Sequence, residues 1–592
     1  MSLQLQNAFD KELNRFHGMY DEKENMLIQP FSSPGYHTTL KGGMVHSTRE
    51  SLKYAVALLD SGEGKYLQRA VRILKKVLSL QDTDPGSKTY GIWSWFLEEP
   101  LAQMSPPDWN WADFCGKQLI QVAVDHFPRL EDDVKAQVKN AIIHACYSII
   151  RRNVGPGYTN ISLMGTYVTH VAGELFEQKE ILDYAKQRLK TLHEYNMKNR
   201  AFSEYNSPTY TVVAIEEISG MLLHVKEQES LKMLEDLNIM AWECLARHFH
   251  FPTRQWAGPH ARSYRNILPG KVLSLIQIAA KGKVVFLQEE ELEIETYWIR
   301  MALSCPEKFY SYFTAAPGNR VEKKIVGKGN EEAPPELAYC YLTDAFALSS
   351  FSRSIFWNQR RPLLGYFGTA EKPTYVQLRC LHDRYDFCSG HLHCIQEKGY
   401  VLGVVNFYTD GGDTHPSLDM VKDATIMAKD LRLRLEFGGS VENIKAVERQ
   451  NEKCFMIRFE NLSLLFYVAD AVFGDAVIQC ETGTEEDRRW VDVVFYQGEE
   501  KKIHLRSLEE AYAAFAIKVM ADEEAVQASR ELHDSISLRQ ENEMLVVESN
   551  GLRGMRLEAP IGTADFKGML GSLKGWVDGI PYEQISPDSV EA

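Results

Sequence analysis

The sequence predicts a multidomain chain, α first and β second: an N-terminal (α/α) toroid of helical hairpins followed by a large antiparallel β-sandwich. Three observations carry this. Apolar residues recur at i, i+3, i+4 and i+7 through the first half. From about residue 340 they alternate in short β-branched and aromatic runs. Between the two lies GKGNEEAPPELAY (327–339), with the composition of a linker. The boundaries read this way are 1–325 for the toroid, 326–339 for the linker and 340–592 for the sandwich.

The helices come in pairs. ESLKYAVALLDSG (50–62) is followed by YLQRAVRILKKVLSL (66–80), and KQLIQVAVDHF (117–127) by LEDDVKAQVKNAIIHACYSII (130–150). ISLMGTYVTHVAGELF (161–176) precedes KEILDYAKQRLKTLHEY (179–195), and TVVAIEEISGMLLHV (211–225) precedes ESLKMLEDLNIMAWECLARHF (229–249). The helical spacing extends to about residue 305. Hairpins at this period mean stacked pairs, in an open solenoid or a closed toroid. The strand runs are TYVQLRCLH, YVLGVVNFYT, KCFMIRFE, LSLLFYVAD, RWVDVVFYQ, KKIHLRS and EMLVVESNGLRGMRLEA, with Asn550-Gly551 reading as a two-residue hairpin turn.

Composition excludes several functions. Lys and Arg number 66 against 81 Asp and Glu, a net charge of −15, which argues against a nucleic-acid binder. No run of 18 apolar residues and no apolar leader occurs, so the reading is a protein without a membrane partner. Ten cysteines without a CxxC pair read as reduced thiols of a cytoplasmic protein. GxxxxGK[ST], HExxH and GxSxG are absent, which sets aside nucleotide, zincin and serine-hydrolase chemistry. No cofactor is implied, and no feature sets an oligomeric state.

The chemistry is expected in the loops before helix starts. PGYHTTLKGGMVHSTRE (34–50) holds His37, His46 and Arg49, with Ser47 or Thr48 and Glu50 placed for an N-cap. Residues 90–116 carry Trp93, Trp95, Trp109 and Trp111, interleaved with Glu98, Glu99, Asp108, Asn110 and Asp113. Indoles stack on pyranose faces and also pack in cores. Asn160 stands at a helix mouth, where capping is the ordinary role. Glu204, Tyr205, Asn206 and Tyr210 crowd an acid, two phenols and an amide around Pro208. In residues 248–266, Arg254 and Trp256 precede His260, Arg262 and Tyr264, whose alternation puts three polar side chains on one side of an extended loop. In the strand half, His382, His391 and His393 accompany Cys380, Cys388 and Cys394, a spacing that fits no standard zinc pattern and leaves only a weak case for structural zinc near His391 and His393. Asp410, Asp413 and His415 mark a Gly/Asp-rich turn.

The pairing of helical hairpins with a β-sandwich, with NWADF, EYNSPTY, GPHARSY and LHDRYDF as local motifs, resembles the heparinase II/III and alginate-lyase type of polysaccharide lyases. The resemblance implies an Asn at the start of an inner helix, a Tyr one hairpin later and a His from the sandwich. Asn206, Tyr264 and His382 (or His391 or His393) would fill these places. The family often sets a His beside the Asn, whereas Tyr205 and Ser207 flank Asn206 here.

The expected reaction is β-elimination from a uronic-acid-containing oligosaccharide. The proton at C5, α to the carboxylate, becomes removable once the carboxylate charge is neutralised by Arg262, Asn206 and a donor His. Tyr264 and His260 are the rival bases. Trp93, Trp109, Asn110, Trp111, Asn160, Glu204, Tyr205, Tyr210 and Trp256 would line the sugar site. Two alternatives stay open: a glycoside hydrolase using Glu204 with Asp108 or Asp113, and a glycan-binding protein without catalysis.

Overall fold

The computed structural model describes residues 3–33, 36–326, 335–412, 421–550 and 553–584. The chain divides into two compact units. The first holds Met1–Glu204, Tyr210–Cys244 and Pro269–Tyr310; the second holds Tyr205–Thr209, Leu245–Leu268 and Ser311–Ala592.

The first unit is a helical toroid. After α1 (Leu3–Met19) come α2 (Thr48–Asp60), α3 (Leu67–Leu78), α4 (Trp111–His126), α5 (Asp132–Arg152), α6 (Thr159–Leu175) and α7 (Lys179–Asn199). Then follow α8 (Tyr210–His224), α9 (Gln228–His248) and α10 (Gly270–Ala279). The even-numbered helices α2, α4, α6 and α8 pack side by side in succession, while α3, α5 and α7 each lie against their own hairpin partner and against one another. A helix buried all round belongs inside, and α6 is buried at every residue from Thr159 to Gly173.

Polar groups at the centre close the ring. Lys117 on α4 pairs with Glu217 on α8, skipping α6 between them. The neighbouring Glu216 accepts hydrogen bonds from Tyr297 Oη at 2.9 Å and Trp298 Nε1 at 2.8 Å. Those two residues lie in the turn Thr296–Ile299, which packs against α1 and α2 at the other end of the series. Lys53 on α2 and Lys271 on α10 both reach Glu295, at 3.5 and 2.6 Å.

The second unit is an antiparallel β-sandwich. One sheet runs in the order Gln479–Thr484, Arg488–His504, Thr425–Gly439, Pro373–His382, Leu363–Gly368, Ala347–Phe351, Glu336–Leu342 and Arg320–Val326. The other runs Ala446–Arg449, Cys454–Arg458, Leu462–Phe473, Ala511–Ala521, Tyr400–Phe407, Gly390–Glu397 and Arg353–Ile355. A single apolar core takes Val376, Leu378, Leu433 and Leu435 from the first sheet and Val404, Phe466, Phe515 and Ile517 from the second. A smaller sheet, Ile536–Pro581, adds Leu545, Val547 and Leu557 to the same core.

The structure departs from the sequence reading in four places. In the helical half regular helix ends at Ala279 rather than near residue 305; beyond it Glu289–Glu291, Thr296–Ile299 and Glu307–Phe313 form only short 3-10 turns. The strands of the sandwich begin at Arg320, not near residue 340, while Tyr20–Asp21, Met26–Ser32 and Gly42–Ser47 already form a small sheet in the helical half; Glu336–Leu342 takes up the end of the proposed linker, whose residues 327–334 lie outside the described ones. The polar N-terminal stretch is helix α1, held by the buried stripe Phe9, Leu13 and Phe16. Ser549 pairs with Met555, so the turn between these strands is longer than Asn550-Gly551 alone; Gly551 lies outside the described residues. All ten cysteines are free thiols. Among the described residues no helix is long and apolar enough to cross a membrane.

The central ion pair is testable. Lys117→Met leaves the Glu217 carboxylate buried without its cation and should cost about 3–5 kcal/mol, while Lys117→Met with Glu217→Leu should recover most of that loss. Urea denaturation followed by far-ultraviolet circular dichroism distinguishes the two variants.

Candidate functional site

In the second unit the site is organised by one buried amide. Asn206 adopts φ +49°, the left-handed region that Asn tolerates better than most residues. Its Nδ2 donates to Ala257 O at 2.8 Å and Pro259 O at 3.1 Å, and its Oδ1 accepts from Trp256 Nε1 at 2.5 Å. Its backbone carbonyl faces His260 Nδ1, while His260 Nε2 lies 3.1 Å from Trp256 O. Ser207 Oγ donates to Arg262 O at 2.6 Å, and Tyr205 Oη lies 3.0 Å from His248 Nε2. Asn206 thus clasps the loop 256–262.

That loop is laid on the sandwich as a short ladder. His260 N donates to Arg361 O and Arg361 N to His260 O, at 3.2 and 3.0 Å, and Ser263 N donates to Gln359 O at 2.6 Å. Gly258 permits the approach, because a Cβ there would meet Ser349 Oγ at 2.8 Å. In this register Arg262 stands opposite Gln359. Its Nη2 donates to Gln359 Oε1 at 2.7 Å and lies 3.4 Å from Tyr264 Oη, and the guanidinium rests 4.6 Å above the Trp357 ring. Tyr264 is 51% exposed. A fixed cation and an open phenol therefore sit side by side at the surface of this unit.

The expected alternation holds for Arg262 and Tyr264 but not for His260, which turns inward and is buried. Burial pushes its imidazole down to about 3, outweighing the two carbonyls that face its ring nitrogens and favour the charged form. Trp256 is buried as well, a clasp partner rather than an open stacking plane. The amide donors of Asn206 are spent on the loop carbonyls, not displayed to a ligand. His382 caps the end of its strand with Nε2 2.9 Å from Met427 O. His391 and His393 lie deep in the sandwich, His391 against Tyr408 Oη and His393 between the carbonyls of Ser352 and Lys574. Among the described residues no group of three or more His, Cys, Asp or Glu converges as a metal ion requires. Asp410 accepts from Phe566 N, while Asp413 and His415 lie outside the described residues.

A second group lies within the toroid. The rings of Trp95 and Trp111 sit 5.1 Å apart at 31°, with His37 5.5 Å from Trp95. Trp111 Nε1 donates to Thr48 Oγ1, and Trp95 Nε1 to Asp108 Oδ2. Arg152 Nη1 donates to Asn110 Oδ1 at 2.5 Å, and Asn110 Nδ2 lies 3.5 Å from Tyr158 Oη. Trp95, Trp109 and Trp111 are partly exposed, whereas Trp93 is wholly buried with its indole donating to Val77 O, which makes it a core residue. Asn160 does not cap α6; it is the second helical residue, and its backbone N–H donates to Glu204 Oε2 at 3.2 Å. Tyr210 opens α8, partly exposed. Ser47 is the N-cap of α2, accepting from Glu50 N. His46 is clamped between Glu98 and Asp21, and Arg49 lies over the Phe114 ring.

Two of the carboxylates a hydrolase would use, Glu204 and Asp108, are engaged by groups of the chain itself, Glu204 accepting from Asn160 N. Asp108 receives Trp95 Nε1 and Asn110 N, and Glu99 receives Thr39 N and Oγ1. Asp113 is buried, and burial pushes its carboxyl up to about 7 against the pull of Arg188 and Arg152. Sequence reasoning missed Trp357 and Gln359, which reach Arg262 only through the tertiary ladder; Tyr158 and Arg152 were also unmarked.

Two predictions follow from the clasp. Asn206→Ala strands the Trp256 N–H and two loop carbonyls and should lower the unfolding free energy by about 2–3 kcal/mol, read from urea denaturation. His260 and His250 are depressed to about 3 and about 4 by burial. The unfolded chain takes up protons as pH falls below about 6.5 while the folded chain does not, so stability is full above that pH and is lost on acidification toward these values. Urea midpoints should fall steadily between pH 7 and pH 4, with a shallower slope in His260→Gln.

Residues 6–284 match the model of a family described as "Domain of unknown function (DUF8769)". No curated protein matches the chain. Among solved structures it is similar to heparinase III, at 11% identity and a TM-score of 0.47 over 95% of this chain and 91% of that one. It is similar to the Streptomyces coelicolor A3 chondroitin AC lyase in complex with chondroitin sulphate, at 9% identity and 0.46 over 94% and 84%. It is also similar to a heparan sulfate lyase from Pedobacter heparinus, at 10% identity and 0.35 over 95% and 90%.

Proposed function

We propose that the chain is a lyase that cleaves uronic-acid-containing oligosaccharides by β-elimination. The observation that carries this reading is the Arg262–Tyr264 pair, a guanidinium held by Gln359 and Trp357 with an exposed phenol 3.4 Å away. Arg262 neutralises the substrate carboxylate as negative charge spreads from C5, which lowers the barrier most if the cation is already in place. Tyr264 is the base that takes the C5 proton. The electron pair forms the C4–C5 double bond, the C4–O bond breaks, and Tyr264 returns the proton to the departing O4. Asn206 and His260 are positioning residues in this scheme: both are buried and shape the loop on which Arg262 and Tyr264 stand. In the toroid, the partly exposed Trp95 and Trp111 rings, with Arg152 and Asn110 beside them, are suited to a pyranose face and its hydroxyls.

Tyr264→Phe should abolish the unsaturated product that absorbs in the near ultraviolet, with an unchanged circular dichroism spectrum; wild-type turnover in that variant would remove Tyr264 from the reaction. Arg262→Lys keeps the charge but loses the fork and its stacking on Trp357, and should reduce kcat/KM about 100-fold.

A further inference from the structure

The sandwich unit carries a cleft of about 920 Å³ apart from the Arg262 group. It opens where the strand Arg488–His504 bulges. Pairing with Thr425–Gly439 steps from Asp430↔Gln497 to Ala428↔Lys501, so residues 498–500 are thrown out of the ladder. Such bulges bend a strand and re-aim its side chains. Here the bend is held by Tyr496 Oη donating to Glu499 O at 2.5 Å. The cleft then has an apolar floor of Phe473, Phe495 and Ile503, all buried. Lys501, Lys502, Asp475, Gln479, Glu509 and Glu510 also line it. Among the described residues Lys502, Asp475 and Glu509 form no ion pair.

An apolar floor under walls that offer both cations and acceptors matches a ligand with a C–H face, a rim of hydroxyls and a carboxylate. We propose that this cleft binds an acidic oligosaccharide, with Lys501 and Lys502 on the carboxylate, Asp475, Gln479 and Glu509 on hydroxyls, and sugar rings over Phe473 and Ile503. The volume lies within the range of small-molecule sites and suits two or three sugar rings. This assignment stands on the cleft's own lining and not on the Arg262 chemistry.

Calorimetry on the full chain carrying Arg262→Ala tests it, with trigalacturonic acid as probe and maltotriose as the neutral control. The expected result is one binding site for trigalacturonic acid, weakened at least tenfold by adding Lys502→Glu, an exposed substitution, and weaker binding of maltotriose throughout. Absence of trigalacturonic acid binding at millimolar concentration would overturn the assignment, as would indifference to Lys502→Glu or equal binding of maltotriose. Lyase turnover of the wild-type chain is measured separately, so loss of the elimination reading would leave this outcome standing, and the reverse.

Discussion

The placing of Arg262 and Tyr264 depends on satisfying the polar groups of one buried loop. The carbonyls of Ala257 and Pro259 and the indole N–H of Trp256 would be costly to bury unpaired. One amide, Asn206, meets all three. Its left-handed backbone turns the side chain toward the loop and at the same time brings its own carbonyl to His260. The loop so fixed can extend along residues 359–361, and only then do Arg262 and Tyr264 acquire a defined direction. A solvent-facing pair is thereby aimed by a buried group that lies far from it along the chain.

The same division of labour explains why residues chosen by chemistry alone separate in the structure. Buried imidazoles and spent amides serve as scaffold, and the charged and phenolic groups stand at the rim. His260, Asn206 and Trp256 fall in the first class, Arg262 and Tyr264 in the second. Reading His260 as scaffold follows from its depth: desolvation disfavours the imidazolium, and two carbonyls occupy the directions in which the ring could act.

Much of the fold was legible in the sequence. The hairpin helices α2 to α9 follow from a 3.6-residue apolar period, and most strands from alternation, because those patterns record directly which face is buried. Helix α1 escaped notice because only Phe9, Leu13 and Phe16 mark its buried stripe within a polar stretch. The segment after Ala279 kept apolar residues but spent them in turns around the ring centre. At the site, the motif around residue 260 flagged Arg262 and Tyr264 correctly as neighbours. Gln359 and Trp357 carry no local signal, since their role arises from a ladder between segments nearly a hundred residues apart. Four tryptophans in residues 90–116 likewise announced an aromatic group without telling Trp93, which is core, from Trp95 and Trp111, which are not.

The polar centre of the toroid has a bearing on how that unit comes apart. An open array of helical repeats can shed its end repeats one at a time, each loss costing only a nearest-neighbour interface. Here Glu216 on α8 is satisfied by the turn at Thr296–Ile299, which itself leans on α1 and α2, so fraying at either terminus bares a carboxylate in the middle. Truncation at one end is therefore felt at the hub, and the helices stand or fall as a closed hoop rather than as a stack.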